Sequence, residues 1–300
     1  MIGRWRSTPQ LSVVVIAYNM QREIQRTLHT LGANYQKECD IDQLEVILVD
    51  NGSTIALDAS ALKRSFAGRL RVLRREPDGV SPVPAVNQGV AMARGRWVAV
   101  MVDGARMVSP GLLGWMQRAF RLEPQAFVTT LGWHLGEEPQ NTAMTKGYNQ
   151  ALEDRLLASF DWQTNGYRLF DHSCLALSCR QGWFSSIAES NCFALPKRVF
   201  HRLGGFDPRF VSRGGGLVNL DFFRLALAAP ELRPVLLLGE GSFHQFHGGV
   251  ATNVPLQDHP WQTFQAEYRA IRGMDYAEPH FDPLYLGRLS PQARRFLPGG

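Results

Sequence analysis

The sequence predicts an α/β fold: a Rossmann-like, mostly parallel sheet flanked by helices, with a less regular C-terminal half. Three observations lead there. Leu11–Ala17 is an almost unbroken apolar run rich in β-branched residues, the pattern of a strand buried on both faces of a parallel sheet. Comparable runs return at 45–49 and 97–102, with helix-period segments between them, at the spacing of βαβ units. Each run ends in polar residues, Tyr18-Asn19, Asp50-Asn51-Gly52-Ser53 and Asp103-Gly104-Ala105. In an open parallel sheet such ends gather at one rim, where ligands bind.

Taken in order, Ile24, Leu28 and Leu31 recur at i, i+4 and i+7 and give the first crossover helix. Leu57, Ala61 and Leu62 mark a second helix, 70–73 a short strand, 85–93 a third helix, and 97–102 the strand that delivers Asp103. Ser109-Pro110 reads as an N-cap followed by a first-turn proline, opening a helix with Leu112, Leu113, Met116 and Phe120 on its apolar face. Beyond about residue 135 a helix at 149–159 is expected among aromatic and glycine-containing loops. A strand at 192–195, helices at 196–203 and 219–228, and a buried strand at 235–238 follow, the last leading into Gly239-Glu240-Gly241. Trp261, Phe264, Tyr268 and Ile271 line one side of a late helix. The expected organisation is an extension over 1–10, a main unit over 11–253 divided into 11–135 and 136–253, and a helix and tail over 254–300.

The 300 residues, 45% hydrophobic and 20% charged, suffice for one large core or two modest ones and exclude a disordered or collagen-like chain. A formal charge of +5 suits anionic ligands such as diphosphates, or acidic lipid headgroups. No dense Lys/Arg block appears, so nucleic acid is not an expected partner. Arg4 and Arg6 precede no signal-like apolar stretch, and no apolar run approaches the roughly 18 residues of a membrane span. The expectation is a cytoplasmic protein, at most peripheral at the inner membrane face, with the basic tail (Arg288, Arg294, Arg295) solvated and disordered. Cys39, Cys174, Cys179 and Cys192 form no CxxC pair and are expected as reduced thiols.

Together, the 13–19 segment, Asp50-Asn51-Gly52-Ser53, Asn87-Gln88-Gly89, Asp103 and Ser109-Pro110-Gly111 resemble the family 2 glycosyltransferases, which have the GT-A fold. Gly204-Gly205-Phe206-Asp207, His244 and His247 extend the likeness more loosely to about residue 253. The resemblance implies transfer of a hexosyl group, with inversion, from a nucleoside diphosphate sugar to a glycan or lipid-linked acceptor, in cell-surface polysaccharide synthesis. It further implies a nucleotide-sugar half over 11–135 and an acceptor half over 136–253. Ala17, Tyr18, Asn19, Asp50, Asn51, Ser53, Asn87 and Asp103 would contact the donor. A carboxylate only accepts hydrogen bonds, which suits Asp50 to imide N–H or ribose hydroxyl donors.

Two departures from the family pattern matter. The Asp-X-Asp signature that holds a divalent cation stands here as Asp103-Gly104-Ala105, so Mn²⁺ or Mg²⁺ would rest on Asp103, diphosphate oxygens and a histidine. His244 and His247 would point oppositely in an extended chain, so one of them at most is expected to face the ligand. The acidic pair that supplies the family's catalytic base aligns with Val218 and Asn219. Asp221 is then the first candidate base and Glu189 the second. Gly214-Gly215-Gly216 is expected as a mobile loop over the diphosphate or as a structural turn. Trp133, Trp162, Tyr167, Trp183 and Phe184 are candidates for stacking on sugar, although most should be core. A non-catalytic sugar-nucleotide or glycan binding module is the rival reading. A nicotinamide-dependent oxidoreductase would need a GxGxxG turn after the first strand, which is not there.

Overall fold

The computed structural model describes residues 8–76 and 79–297, so Arg4, Arg6 and most of the expected N-terminal extension lie outside the described residues. The strands are β1 (Leu11–Ala17), β2 (Leu44–Asp50), β3 (Leu70–Arg74), β4 (Trp97–Met101), β5 (Arg106–Val108), β6 (Ala126–Leu135), β7 (Ser173–Leu175), β8 (Cys192–Pro196), β9 (Arg233–His244) and β10 (Leu284–Gly287). The helices are α1 (Gln21–Leu31), α2 (Ala59–Ser65), α3 (Val83–Met92), α4 (Leu112–Leu122), α5 (Gln140–Ala143), α6 (Gln150–Ala158), α7 (Lys197–Arg202), α8 (Val218–Ala228) and α9 (Trp261–Arg272).

All the strands join one sheet, in the order β10-β9-β6-β8-β4-β1-β2-β3, with β5 added to β9 and β7 to β6. Strand β1 pairs in parallel with β2 and β4, and β6 with β9, while β8 runs antiparallel to both β4 and β6. Apart from β8, then, the strands along this order share one direction, as the sequence predicts.

Alternation along the central strands explains their unbroken apolar character. Val14 and Ile16 of β1, with Ile47 and Val49 of β2, enter the core beneath α3 and the aromatic clusters. Val13, Val15 and Ala17, with Val46 and Leu48, enter the core beneath α1 and α4. Burying each such aliphatic side chain contributes roughly 1.5–3 kcal/mol. A polar residue in either set would therefore cost more than a surface one. Gly89 brings α3 close to the sheet, since a Cβ there would stand 2.4 Å from Val14 Cγ1.

The sequence misses β6. All ten of its residues are buried, but Thr129, Thr130, Gly132 and His134 interrupt the apolar run. The two threonine hydroxyls instead bond neighbouring strands, Thr129 to the Val235 carbonyl and Thr130 to that of Cys192. Strand β9 also exceeds expectation, continuing through Gly239-Glu240-Gly241 to His244.

Two further expectations are corrected. Ser109 does not cap α4, which starts at Leu112 after Gly111, because the Ser109 hydroxyl donates to Glu240 at 2.5 Å. Nor is the tail disordered: β10 pairs in parallel with β9, Ala293 is buried, and its carbonyl accepts the Trp183 indole N–H at 3.0 Å. Arg295 also donates to the Asp171 carbonyl. The four cysteines are unpaired, and burial pushes the Cys192 thiol up to about 12.

Glu240 ties β9 to α4. Its carboxyl accepts from Ser109 Oγ, the Gly111 N–H and Tyr167 Oη. Burial, outweighing those bonds, raises its pKa to about 7. An unfolded glutamate titrates near 4.3. Glu240 accordingly stabilises the fold fully below that value, and the contribution, roughly 4 kcal/mol, is lost as pH rises through about 7. Urea unfolding between pH 4.5 and 8 should show this slope in the wild type and a flatter one in Glu240→Gln. Parallel curves would assign the titration to another group.

Candidate active site

The carboxyl ends of β1, β2 and β4 open on one cleft of about 1660 Å³, lined on this side by Tyr18, Asn19, Asn51 and Asp103. Across it stand Glu189 and Asn191, the Arg213–Gly216 turn, His247 and the start of α9. Asn19 is left-handed (φ 53°). Its N–H donates to Ser53 Oγ at 2.9 Å and its side-chain oxygen accepts from the Thr54 N–H at 2.8 Å. These bonds knit the first two strand ends together. Asp50 lies beneath them, buried, and accepts from the Ser53 and Leu57 N–H groups and from Arg74 at 3.1 Å. The expectation that Asp50 faces the base is therefore corrected: both its oxygens are engaged in shaping the turn. Ala17 and Ser53 are likewise buried below the rim, whereas Tyr18, Asn19 and Asn51 line it.

At the third strand end Asp103 meets both histidines. Its Oδ2 stands 2.7 Å from His244 Nε2 and 3.2 Å from His247 Nε2, and the two imidazole nitrogens are 3.2 Å apart. The expectation that only one histidine faces inward fails because the chain leaves the extended conformation after His244, at the end of β9. The Asn253 side-chain oxygen accepts from the N–H groups of His247, Gly248 and Gly249 and fixes that turn.

Gln140 orients His244. The glutamine Nε2 donates to the His244 carbonyl, and its Oε1 accepts from Asn253 Nδ2 and from His244 Nδ1 at 2.8 Å. His244 Nδ1 thus gives a proton to Gln140, and the 2.7 Å approach of Nε2 to Asp103 Oδ2 calls for a second proton, or a cation, between those two atoms. Burial, only partly opposed by Asp103, lowers the His244 pKa to about 4. His247 is raised, because the Asp103 carboxylate outweighs burial. Burial opposes ionisation of Asp103, but the two imidazoles overcome it and hold the carboxyl well below the usual range.

This donor set fits a divalent cation. Three ligand atoms, one carboxylate oxygen and two imidazole nitrogens, lie within 4.8 Å of one another. One imidazole is held in the ligating tautomer by an outer hydrogen bond, as metal-binding histidines commonly are. Two nitrogen donors weigh against Mg²⁺, whereas Mn²⁺ accepts a mixed set. Ala105 is buried and its N–H donates to Asp103 Oδ1 at 2.9 Å, which closes the turn.

The two candidate bases separate. Asp221 is buried and pairs bidentately with Arg272, at 2.8 and 2.5 Å, and it does not line the cleft. Its first rank is corrected, because that ion pair joins α8 to α9. Glu189 lines the cleft and accepts from Asn219 Nδ2 at 2.7 Å. Asn87 is also corrected: its amide both donates to and accepts from the Phe206 backbone, at 2.8 and 2.9 Å, and it braces the Gly204-Asp207 turn. The glycines at 214, 215 and 216 all have positive φ. Trp133, Trp162 and Trp183 are core, Tyr167 bonds Glu240, and Phe184 packs on Tyr285. The cleft aromatics are instead Tyr18, Trp261, Phe264 and Tyr276. Sequence reasoning did not find Gln140 or Asn253, which carry no motif.

Comparison with known proteins bears on the family and the fold. Residues 12–173 match the model of the family described as glycosyl transferase family 2. The chain is 26% identical over 246 residues to validoxylamine A glucosyltransferase of Streptomyces hygroscopicus subsp. jinggangensis, covering 74% of this chain and 53% of that protein. The enzyme of subsp. limoneus is similar at 26%, with 74% and 49% covered. The chain thus spans about half the length of these curated relatives. Among solved structures, S. aureus TarS 1–349 in complex with UDP aligns with a TM-score of 0.51 at 17% identity, over 75% of this chain and 57% of that one. Full TarS aligns at 0.55 and 14%, over 90% and 41%. The fold is GT-A.

Removing the Gln140 clamp should loosen the cluster while leaving its ligands in place. Gln140→Leu is expected to bind Mn²⁺ about 10–100-fold more weakly by calorimetry. An unchanged affinity would show that His244 needs no such support.

Proposed function

This chain belongs to glycosyl transferase family 2, and from that premise we propose that it transfers a hexosyl group from a nucleoside diphosphate sugar to a hydroxyl of a glycan or lipid-linked acceptor. The observation that carries the reading is the meeting of Asp103, His244 and His247 in the same cleft as Tyr18, Asn51 and Glu189. Among the described residues no helix is long and apolar enough to cross a membrane.

In this reading Tyr18, Asn19 and Asn51 receive the nucleoside, and Asp103, His244 and His247 would hold a divalent cation. A bound divalent cation would supply positive charge against the leaving diphosphate. Glu189 takes the proton of the acceptor hydroxyl. The hydroxyl oxygen forms its bond to the anomeric carbon from the face opposite the diphosphate, whose own bond to that carbon breaks, and the configuration inverts. Asn219, which cannot accept a proton, holds Glu189 through its amide N–H. General-base catalysis of this kind contributes about 10²–10⁴-fold.

A second reading, a sugar-nucleotide or glycan binding module on the same fold, draws its support from Ala105 standing where family members carry the second aspartate. The two readings part at Glu189. Under the first, Glu189→Gln is expected to lower kcat by about 10²–10⁴-fold with little change in stability. Asp221→Asn should instead break a buried ion pair and cost about 3–5 kcal/mol of stability, with turnover per folded molecule falling far less than in Glu189→Gln. Full activity in Glu189→Gln would remove Glu189 as base. A thermal-shift panel of UDP, GDP, CDP and dTDP, each with and without Mn²⁺, identifies the base, since ligands of the folded state alone raise its stability. UDP is the first choice, because TarS has been crystallised with it. No shift with any of the four would remove the donor pocket and leave glycan binding as the surviving reading.

A further inference from the structure

We infer that Arg106 is an anion anchor in the floor of the cleft, positioned to hold an oxyanion of the substrate. The identity of that oxyanion rests on the transferase reading; the anchor itself rests on the side chain. Arg106 opens β5 directly after the Asp103-Gly104-Ala105 turn. It pairs with His244 of β9, which pairs in turn with His134 of β6. Register partners on adjacent strands share a face, so the three side chains form one row across the sheet. In the next row Gly132 pairs with Ser242, and Arg106 Nη1 comes within 3.8 Å of the point where a Cβ on Gly132 would stand. The guanidinium therefore extends across β9 toward a position that has no side chain.

Arg106 is only 4% exposed, yet it lines the cleft. Among the described residues its Nε and Nη1 have no hydrogen-bond partner, and neither does the neighbouring hydroxyl of Ser242. Other partly buried arginines are neutralised: Arg22 by Glu23, Glu153 and Asp154, Arg272 by Asp207 and Asp221. An unpaired buried guanidinium is among the most costly arrangements in a protein interior. It is retained where something else supplies the charge, and its planar fork matches a carboxylate or phosphate. His134 offers a second donor on the same floor. Its Nδ1 accepts from the Gln140 N–H at 2.9 Å, which leaves its own N–H on Nε2.

Two parts of a nucleotide sugar carry such an oxyanion: the diphosphate, and a carboxylate on the sugar itself. Arg106→Met removes the charge but keeps most of the apolar length. Without ligand this variant should unfold at the wild-type temperature or above, since a costly unpaired charge has gone. Calorimetry would compare the two proteins with inorganic pyrophosphate, UDP, uridine, UDP-glucose and UDP-glucuronate, or with the nucleotide that the base panel selects. The expected result is a loss of roughly tenfold or more for the oxyanion ligand. A loss on pyrophosphate and UDP, with uridine unaffected, assigns the diphosphate. Unchanged UDP affinity together with loss of a wild-type preference for UDP-glucuronate over UDP-glucose assigns a sugar carboxylate. Equal affinities for every probe, or destabilisation of the variant without any change in affinity, overturn the anchor. Pyrophosphate binding that depends on Arg106, in a wild type that binds no nucleoside diphosphate, would sink the donor reading and leave the anchor standing.

Discussion

The site depends on β9 being bonded on both sides. Strand β6 fixes it along one edge in parallel and β10 along the other, and β5 joins near its end. A one-residue slip in any of these ladders would turn every side chain to the opposite face. His244 would then leave Asp103, and Arg106 would leave the cleft floor. Glu240 resists that slip, since its carboxyl bonds the Ser109 hydroxyl and the backbone just before α4. The resulting burial of a carboxyl with no cation beside it is a stability cost accepted for register. That is the sense in which the fold and the chemistry share one strand.

Charge in the cleft is arranged by the same strands. Asp103 is the one acid at the cluster, and two imidazoles approach it where a second carboxylate would usually share a cation. Replacing that carboxylate by an imidazole removes one negative charge from the site. A cation held there would be less neutralised by protein, and so would act more strongly on a diphosphate oxygen. Arg106, unpaired in the floor, adds further positive charge in the same direction. The departure at Ala105 therefore does not leave the cleft poorer in positive charge, which bears on the binding-module reading: the missing aspartate is no argument that a leaving diphosphate would go unstabilised.

Much of the fold was legible in the sequence because the first half obeys a single rule. Strands buried on both faces read as apolar runs, and their polar ends mark the rim. The strand β6 escaped because the threonines, glycine and histidine within it satisfy hydrogen bonds across strands rather than a hydrophobic pattern. The site was legible only where a residue type announces its chemistry. Asp103, His244, His247 and Glu189 were named for their residue types at strand and loop ends, and the structure clusters the first three and sets Glu189 in the same cleft. Asp50, Asn87 and Asp221 were named by the same reasoning and are structural here. A carboxylate or amide that braces a turn looks the same in sequence as one that faces a ligand. What separates them is a partner far along the chain, Arg272 for Asp221 and Phe206 for Asn87, and such pairings are not written locally.

The Asp221–Arg272 pair illustrates why one wall of the cleft is harder to read than the rim of strand ends. Polar groups on the rim come from consecutive strand ends, so their positions follow from topology alone. The facing wall is built from Glu189 before β8, the 213–216 turn, Asn219 on α8 and the first turn of α9, elements that share no ladder. Their relation is fixed by side chains: Arg272 holds α9 to Asp221 on α8, and Glu267 of α9 accepts from the Val211 and Ser212 N–H groups before the glycine turn. Asn219 stands two residues from Asp221 on the same helix, so the ion pair that fixes α8 also fixes the amide that meets Glu189. A buried pair with no place in the cleft thereby sets the orientation of the carboxylate that has one, and a substitution at Arg272 would reach Glu189 through α8 without touching the ligand.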